Sequence, residues 1–543
     1  MPCTDIPRVA STPIKCGQLA KELRLHPKKS QVAYLLHGLE NGFNTGISQI
    51  PTATLECNNN VSAKEDPVSV EGLLSQELTS GYVIGPFSTP PFSLCRVHPI
   101  GLAHKKYSNK KRLVVDMSAP HDDPQNASIN ALIPKEDFSL SYVTIDDAIS
   151  IIKQLGQGTL MCKFDIKDAF KQLPIHPSLW HLHGIKWKNQ YYFFTRLVFG
   201  CRSSPKIFDQ LSEAICWIAQ NNYSVKHILH LLDDFWTADP PGSDADRTMA
   251  LLTMIFHRLG IPLATSKTAG PTTCIEYLGI ILDSQLMEAR LPHDKLNRLC
   301  QLVSNFLNRK KCSKVEMQSL LGHLNFACRV IPPGRTFISR LITAMKKASK
   351  SYHYVTLNSE CKSDLCMWYE LLTHWNGVSL FREDSSTAAA DLALYTDASG
   401  TRGYGGYFQG QWFRGDWDPS MLQAIKAEGK DSMAFKELYP IIIAAILWGK
   451  KWSRKKLLFN CDNQSTVHIL NSGRSKIPVI MKLMRRLVIT AAQNNFSFCA
   501  LFLPSSQNSI ADALSRNQMD RFRQLAPLAE ALPCQLPSQV MFG

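Results

Sequence analysis

No stretch of the chain reaches the ~18 uninterrupted apolar residues that a membrane-spanning helix needs. The opening residues, Met1-Pro2-Cys3-Thr4-Asp5, lack the basic segment and apolar core of a secretory signal, so no membrane partner is expected. The sixteen cysteines contain no C-x-x-C pair, the nearest spacing being Cys361 to Cys366. That excludes a zinc-ribbon or disulfide framework and leaves scattered small hydrophobes in a reducing compartment. The expected location is intracellular, with cytoplasm and nucleus both open. His176, His181 and His183 cluster, but no cysteine or carboxylate stands at ligand spacing, so they read as surface or core residues. Acidic charge is also scarce: 45 Asp plus Glu face 60 Lys plus Arg, a net charge of +15. A basic surplus attracts polyanions through counterion release, and nucleic acid is the commonest such partner.

At 543 residues the chain is too long for a single core, so several domains are expected. Residues 1–70 read as an N-terminal extension and linker. Within them Ser30 to Leu39 looks helical, and the Thr-, Asn- and Ser-rich stretch from Ile50 to Asp66 looks like the connector. Residues 71–285 mix strand and helix patterns. Residues 286–388 are dominated by helical periodicity, including Leu296, Leu299, Val303 and Leu307. The polar run Glu383-Asp384-Ser385-Ser386-Thr387 marks a boundary, residues 389–516 form a last mixed α/β unit, and the Pro-containing tail 517–543 reads as irregular. No internal repeat is present.

What the chain does have is seven carboxylates in two groups. Asp165 closes the strand-like Cys162-Lys163-Phe164 after the turn Gly156-Gln157-Gly158. Asp233 and Asp234 lie between apolar His227-to-Leu232 and Phe235-Trp236-Thr237, a pattern that places both at a hairpin tip. An Asp-Asp pair alone is most often a solvated turn, so the flanking elements carry the argument. Ser204-Pro205 opens a helix bearing Ile207, Phe208, Leu211 and Ile215. Ser243 and Asp244 cap another, with Leu252, Ile255, Phe256 and Leu259 on one face and Gly260 at its end. Strand, helix, hairpin, helix is the order of a polymerase palm.

This region resembles reverse transcriptases. Asp165-Ile166-Lys167-Asp168-Ala169-Phe170 looks like the first palm motif, and Leu231-Leu232-Asp233-Asp234 stands at the Tyr-x-Asp-Asp motif. Phe199-Gly200-Cys201-Arg202-Ser203-Ser204-Pro205 is similar to the motif that contacts template and nucleotide. The resemblance implies that Phe170 is the steric gate against a ribose 2′-hydroxyl. It implies that Lys105 and Arg112 hold the incoming triphosphate, and that Lys267 is the lysine that protonates the leaving pyrophosphate. Tyr277-Leu278-Gly279-Ile280 would be the primer grip. Two departures stand out: Leu231 replaces the usual tyrosine, and Phe199 the usual glutamine.

The second group is Asp397, Glu437, Asp462 and Asp512. Asp397 ends a strand before the glycine-rich turn Gly400 to Gly406, and Glu437 lies in an apolar helical run containing Pro440, where a kink is expected. Asp462 follows the strand Leu457 to Cys461, and Asp512 belongs to a short helix from Ile510 to Leu514. Asp, Glu, Asp, Asp on strand, helix, strand end and helix start resembles the ribonuclease H fold. A histidine that such families carry in the loop before the last acid is missing from Leu503-Pro504-Ser505-Ser506-Gln507-Asn508.

The fold expected is therefore α/β and multidomain: a right-hand polymerase with fingers and palm at 71–285 and a helical thumb or connection at 286–388, then a ribonuclease H-like mixed α/β domain at 389–516. The resemblance implies an RNA-directed DNA polymerase with RNA–DNA hybrid ribonuclease activity. It also implies two Mg²⁺ per site, with Mn²⁺ as an alternative, held by the seven acids. Substrates would be an RNA template, a DNA primer, dNTPs and the hybrid. Gly81 to Pro91, Arg112 to Asn130, Leu320 to Pro333 and Ala511 to Leu525 are similar to DIRS-type retrotransposons, whose elements use a tyrosine recombinase. No protease-like Asp-Thr/Ser-Gly or zinc knuckle precedes the palm, and no integrase-like region follows it, so a separately encoded recombinase would be the partner. Two other readings use the same residues: a co-opted or inactive nucleic-acid-binding relic, and a ribonuclease H-only enzyme with a dead polymerase.

Overall fold

In the computed structural model the described residues are all except 1–10, 105–110, 122, 124, 375–378, 382–393, 428–432, 454, 539 and 541–543. Lys105 and the boundary segment Glu383 to Thr387 lie outside them. The chain forms two compact units, Met1–Tyr277 and Leu278–Gly543.

The first unit has three sheets. Strands β1 (Leu55–Glu56), β2 (Val83–Phe87) and β3 (Arg96–His98) share one with β7 (Gly184–Trp187) and β8 (Gln190–Phe194), in the order β1-β3-β7-β8-β2. Between them β4 (Ile100–His104) and β5 (Lys111–Val115) form an antiparallel pair. The sheet that carries the first acids is β11-β6-β10-β9, built from β6 (Leu160–Asp165), β9 (His227–Leu231), β10 (Asp234–Asp239) and β11 (Ala269–Thr272). Strand β12 (Cys274–Tyr277) ends the unit. Helix Ser204–Asn222 packs beside β9, burying Ile207, Phe208, Leu211, Ile215 and Ile218 on one stripe. Each such side chain contributes about 1.5–3 kcal/mol. Helix Ala245–Leu259 starts where Asp244 accepts a hydrogen bond from the Arg247 N–H and ends at Gly260, which takes a left-handed φ of 73°.

The N-terminal residues differ from the expected extension and linker. Helices Cys16–Glu22 and Lys29–Asn41 bury Leu19, Leu35 and Leu39 in the same core as the palm helices. The buried Glu22 accepts hydrogen bonds from Asn222 and Tyr223, each at 2.8–2.9 Å. The polar stretch Ile50 to Asp66 contains β1, which pairs in parallel with β3, and helix Val61–Glu65. Its composition is that of a linker, but backbone pairing to a distant strand does not depend on apolar side chains.

The second unit begins with short strands β13 (Ile280–Asp283), β14 (Glu288–Arg290), β15 (Lys311–Ser313), β16 (Tyr354–Thr356) and β17 (Ser379–Leu380) set among helices His293–Leu307, Lys314–Ala327, Ser339–Lys346 and Ser359–His374. Of the predicted stripe, Leu296, Leu299 and Val303 are buried and Leu307 is half-buried. Next come the antiparallel sheet β18 (Leu394–Ala398), β19 (Gly403–Phe408) and β20 (Gln411–Asp416) and the parallel pair β21 (Lys456–Cys461) and β22 (Ser497–Phe502). Helix Met433–Trp448 crosses this layer and continues through Pro440 to Trp448. An interior proline costs about 3 kcal/mol. Burial of Leu438, Ile441, Ile442 and Ile443 contributes about 1.5–3 kcal/mol each and outweighs it.

The tail is not irregular throughout. Helix Met519–Leu525 seats the fully buried Phe522 against Trp412 at a ring separation of 5.2 Å. Beyond it, the Cys534 N–H donates to the Trp412 carbonyl at 2.7 Å. A single buried aromatic and a few backbone bonds dock the segment, and its prolines do not reveal them.

Candidate active sites

Strand register brings the first three acids together. Asp165 and Asp234 are direct partners across the antiparallel β6–β10 pair, and Asp234 also faces Leu231 on β9. Leu232 and Asp233 therefore form a two-residue turn, with Leu232 at a left-handed φ of 55°. Such a backbone costs roughly 1–3 kcal/mol at a non-glycine residue and persists only where neighbours fix it. Here the Ser212 hydroxyl donates to the Leu232 carbonyl at 2.8 Å, and the Ile166 N–H donates to the Asp233 carbonyl at 3.1 Å.

Three carboxylates this close repel one another. Burial, with Asp234 and Asp165 adding to it, pushes Asp233 up to about 6. Burial raises Asp234 as well, Lys163 opposing and Asp165 reinforcing the rise. Lys267 Nζ sits 2.6 Å from Asp165 Oδ2, and Lys163 Nζ 3.5 Å from Asp234 Oδ1, a buried atom without a hydrogen-bond partner. The buried Asp234 Oδ1 is an acceptor that suits a hard divalent cation, although, unlike ligand atoms of Glu437 and Asp462, the oxygens of these three acids do not all gather within 4.8 Å of one another.

Phe170, Phe199 and Phe208 form a cluster of rings in the same unit. Phe170 is buried, 5.6 Å from the Phe208 ring and 4.7 Å from Phe199. Phe199 is 44% exposed, and the Arg112 guanidinium lies over its ring at 6.0 Å. Gly200 has φ 109°, and a Cβ there would come 2.1 Å from the Val115 carbonyl. Asn130 fastens this loop, donating to the Gly200 carbonyl at 2.7 Å and accepting from the Arg202 N–H at 2.8 Å. Only glycine lets the loop approach β5 so closely.

The second group draws on four separate elements. Asp397 lies on β18 and Glu437 in helix Met433–Trp448; Asp462 follows β21, and Asp512 is in the first turn of helix Ser509–Ser515. Single ligand atoms of Glu437, Asp462 and Cys461 fall within 4.8 Å of one another. Burial raises the Cys461 thiol to about 12, with Glu437 adding to it, and a hard cation takes carboxylate oxygen in preference to sulfur. Burial, then Asp397 and Asp462, push Glu437 up to about 9. Burial, with Asp462 and Asp512 adding to it, raises Asp397 to about 6, although the Ser515 hydroxyl donates to it at 2.6 Å. Asp462 accepts from the Ser505 hydroxyl at 2.7 Å. Asp512 is different: burial would raise it, but hydrogen bonds from Arg516 and Arg521 hold it low.

Several site residues carried no sequence signal. Ser505, Asn508 and Ser515 support the acids but stand in no recognisable motif. A cleft of about 970 Å³ in the second unit is lined by Gln464, Ser465 and His468, which follow Asp462 in sequence, with Lys346, Arg474 and Lys476 also on its walls and none of the four acids among them. Among the described residues no helix is long and apolar enough to cross a membrane, and every described cysteine is unpaired.

Residues 97–282 match the family model described as reverse transcriptase (RNA-dependent DNA polymerase). This segment is a reverse transcriptase domain. It is of the kind found in retroelement and retroviral Pol polyproteins, and its fold is that of a right-hand polymerase. Among curated proteins, the chain is similar to the Pro-Pol polyprotein of feline foamy virus, 23% identical over 402 residues, or 72% of this chain and 30% of that one. It is also similar to polyprotein P3 of Commelina yellow mottle virus, 21% identical over 68% of this chain and 19% of that one. Protein P of duck hepatitis B virus is 22% identical over 32% of this chain and 22% of the relative. The chain thus spans less than a third of the length of these relatives. Among solved structures, a foamy viral protease-reverse transcriptase with double-stranded DNA is 15% identical, with TM-score 0.47, over 92% of this chain and 83% of that one. Another, with RNA/DNA hybrid, has TM-score 0.44 and 15% identity, over 90% of this chain and 63% of that one.

Proposed function

We propose that the chain is an RNA-directed DNA polymerase that also cleaves the RNA strand of RNA–DNA hybrids, serving the replication of a retroelement. The observation that carries the polymerase reading is the direct pairing of Asp165 with Asp234 across β6–β10, with Asp233 in the adjoining turn, inside the reverse transcriptase domain. Two Mg²⁺ ions at each acid group, or Mn²⁺ in their place, would supply the positive charge that phosphoryl transfer needs. Asp165, Asp233 and Asp234 would hold the first pair; Asp397, Glu437, Asp462 and Asp512 the second.

The remaining steps belong to the chain's own side chains. Phe170, braced by Phe199 and Phe208, would exclude a 2′-hydroxyl from a bound dNTP. Arg112, with its side chain over Phe199, is available to the triphosphate, and Lys105 is assigned the same task from its sequence position. Lys267, paired with Asp165, would be the group that gives a proton to the leaving pyrophosphate. In the second unit, the basic cleft lined by Lys346, Arg474 and Lys476 supports a phosphate-backbone contact for the hybrid.

The similarities at Gly81 to Pro91 and Ala511 to Leu525 favour a DIRS-like element with a separately encoded tyrosine recombinase, and unpaired thiols favour an intracellular setting. Sequencing the DNA that flanks the coding region tests the element type: a recombinase frame is expected, and an integrase frame would refute it. The polymerase reading is tested with purified protein, a primed RNA template, dNTPs and Mg²⁺. Primer extension is expected. Hybrid cleavage without extension would instead leave a ribonuclease H-only enzyme, and neither activity would leave a binding relic.

A further inference from the structure

Asp512 stands apart from the other acids because both of its oxygens are engaged by arginines. Arg516 Nε donates to Oδ1 at 2.5 Å, and Arg521 Nη1 donates to Oδ2 at 2.8 Å. The arginines come from different elements. Arg516 follows helix Ser509–Ser515, four residues beyond Asp512, and Arg521 lies on the tail helix Met519–Leu525. That tail helix is fixed by Phe522 against Trp412, and Arg521 also donates to Gln518 at 2.8 Å. The charge of Arg516 reaches further, acting on Asp397 and Asp462 as well. Charge-assisted pairs of this length are the strong ones, even where half-exposed guanidinium groups lose part of that strength to water.

The consequence concerns how many oxygens the group can offer. While both arginines hold Asp512, the cluster presents Asp397, Glu437 and Asp462 to a cation. Engaging Asp512 draws electron density from oxygens that already accept one charged hydrogen bond each and brings a further positive ion beside two guanidinium groups. We propose that Arg516 and Arg521 are positioning residues that hold the fourth carboxylate in reserve, so that a first divalent ion binds readily and a second binds weakly. The tail is then part of the nuclease site, and divalent concentration sets how much of the fully assembled site exists. This inference rests on the ribonuclease reading given above.

The test uses the full chain with Asp234→Asn to weaken the polymerase metal group, titrated with Mn²⁺ alone and followed by calorimetry. Arg516→Gln and Arg521→Gln are each expected to tighten the weaker Mn²⁺ event by about fivefold, the scale of one charged hydrogen bond partly screened by water. Arg516→Lys and Arg521→Lys, which keep the charge, are expected to stay near the parent. A purely structural role in docking the tail would leave the isotherm unmoved. Should Arg521→Gln loosen the tail helix, Arg516→Gln reads the same quantity with the tail's own contacts intact. Asp397→Asn tests metal binding by the group independently of the arginines. If it removes Mn²⁺ binding while the glutamine variants stay within about twofold of the parent, the inference is overturned and the ribonuclease reading stands. If Asp397→Asn leaves the isotherm unchanged, both fall.

Discussion

The two acid groups are assembled by opposite structural routes. In the first unit, Asp165 and Asp234 are brought together by the register of one sheet, and Asp233 by the turn that joins two of its strands. In the second, Asp397, Glu437, Asp462 and Asp512 come from four separate elements joined by packing and by side-chain hydrogen bonds such as that from Ser515 to Asp397. A sheet fixes its pairs within a few residues, and a slip of one would turn every side chain to the other face. A packed site can tolerate shifts in single elements, but it depends on distant supports. The cations differ correspondingly: a lysine touches Asp165, while two arginines hold Asp512.

The sharpest way to break this comparison is to remove one acid from each side. Asp165→Asn is expected to lower DNA synthesis by about 10³-fold or more, because it removes charge at the reacting phosphate. Hybrid cleavage should stay within about twofold, as expected for acids that share no partner and belong to different units. Asp397→Asn should do the reverse. Primer extension and hybrid cleavage measured on each variant decide it, and a variant that abolishes both would join two sites kept separate here.

A smaller effect is expected from the supports. Arg485 in helix Pro478–Gln493 donates to the buried Asp364 at 2.8 Å and to Glu360 at 3.2 Å. Asp364→Ala strands the guanidinium and should cost about 3 kcal/mol, near the low end for a broken buried pair because Glu360 remains. Urea unfolding should show the loss in the transition of the second unit alone. A shift in the first unit's transition would mean the two do not unfold independently.

How much of this was legible follows the same division. The hairpin with Asp233 and Asp234, the strand ending at Asp165 and the cap at Gly260 are local patterns, and each stands where periodicity and turn residues placed it. The elements carrying Glu437 and Asp512 were also readable. Their convergence was not, since it depends on contacts between residues far apart in sequence. The same limit hid the N-terminal helices in the core, β1 on the edge of a sheet and Phe522 in its socket. Arg516 and Arg521 lie four and nine residues past Asp512, but nothing in that spacing says that both turn back onto it.

The pH dependence sharpens the contrast in burial. Glu437 is raised to about 9, so without divalent ions the folded state holds its proton more tightly than the unfolded chain does. The unfolded chain releases it first, so stability from this group is full below its ordinary value and falls as pH rises toward 9. Metal-free protein should melt at progressively lower temperature from pH 5 to pH 9, and Glu437→Gln should flatten that slope. An unchanged slope in the variant would show that Glu437 does not carry the effect.

The smallest effect concerns the nucleotide pocket. Phe199→Ala removes the ring that braces Phe170 and should relax discrimination against ribonucleotides by about tenfold, the scale of one lost contact in a selective pocket. Single-nucleotide incorporation of dNTP against rNTP measures it. Unaltered discrimination would assign the brace to Phe208 alone.

The central claim is that one chain carries two carboxylate groups that each bind divalent metal. Its most direct measurement is anomalous diffraction from crystals soaked in Mn²⁺. Peaks are predicted about 2.1 Å from carboxylate oxygens, at Asp165 and Asp234 in one group and at Glu437 and Asp462 in the other. Clear density at one group with none at the other, in crystals where both are ordered, would contradict it.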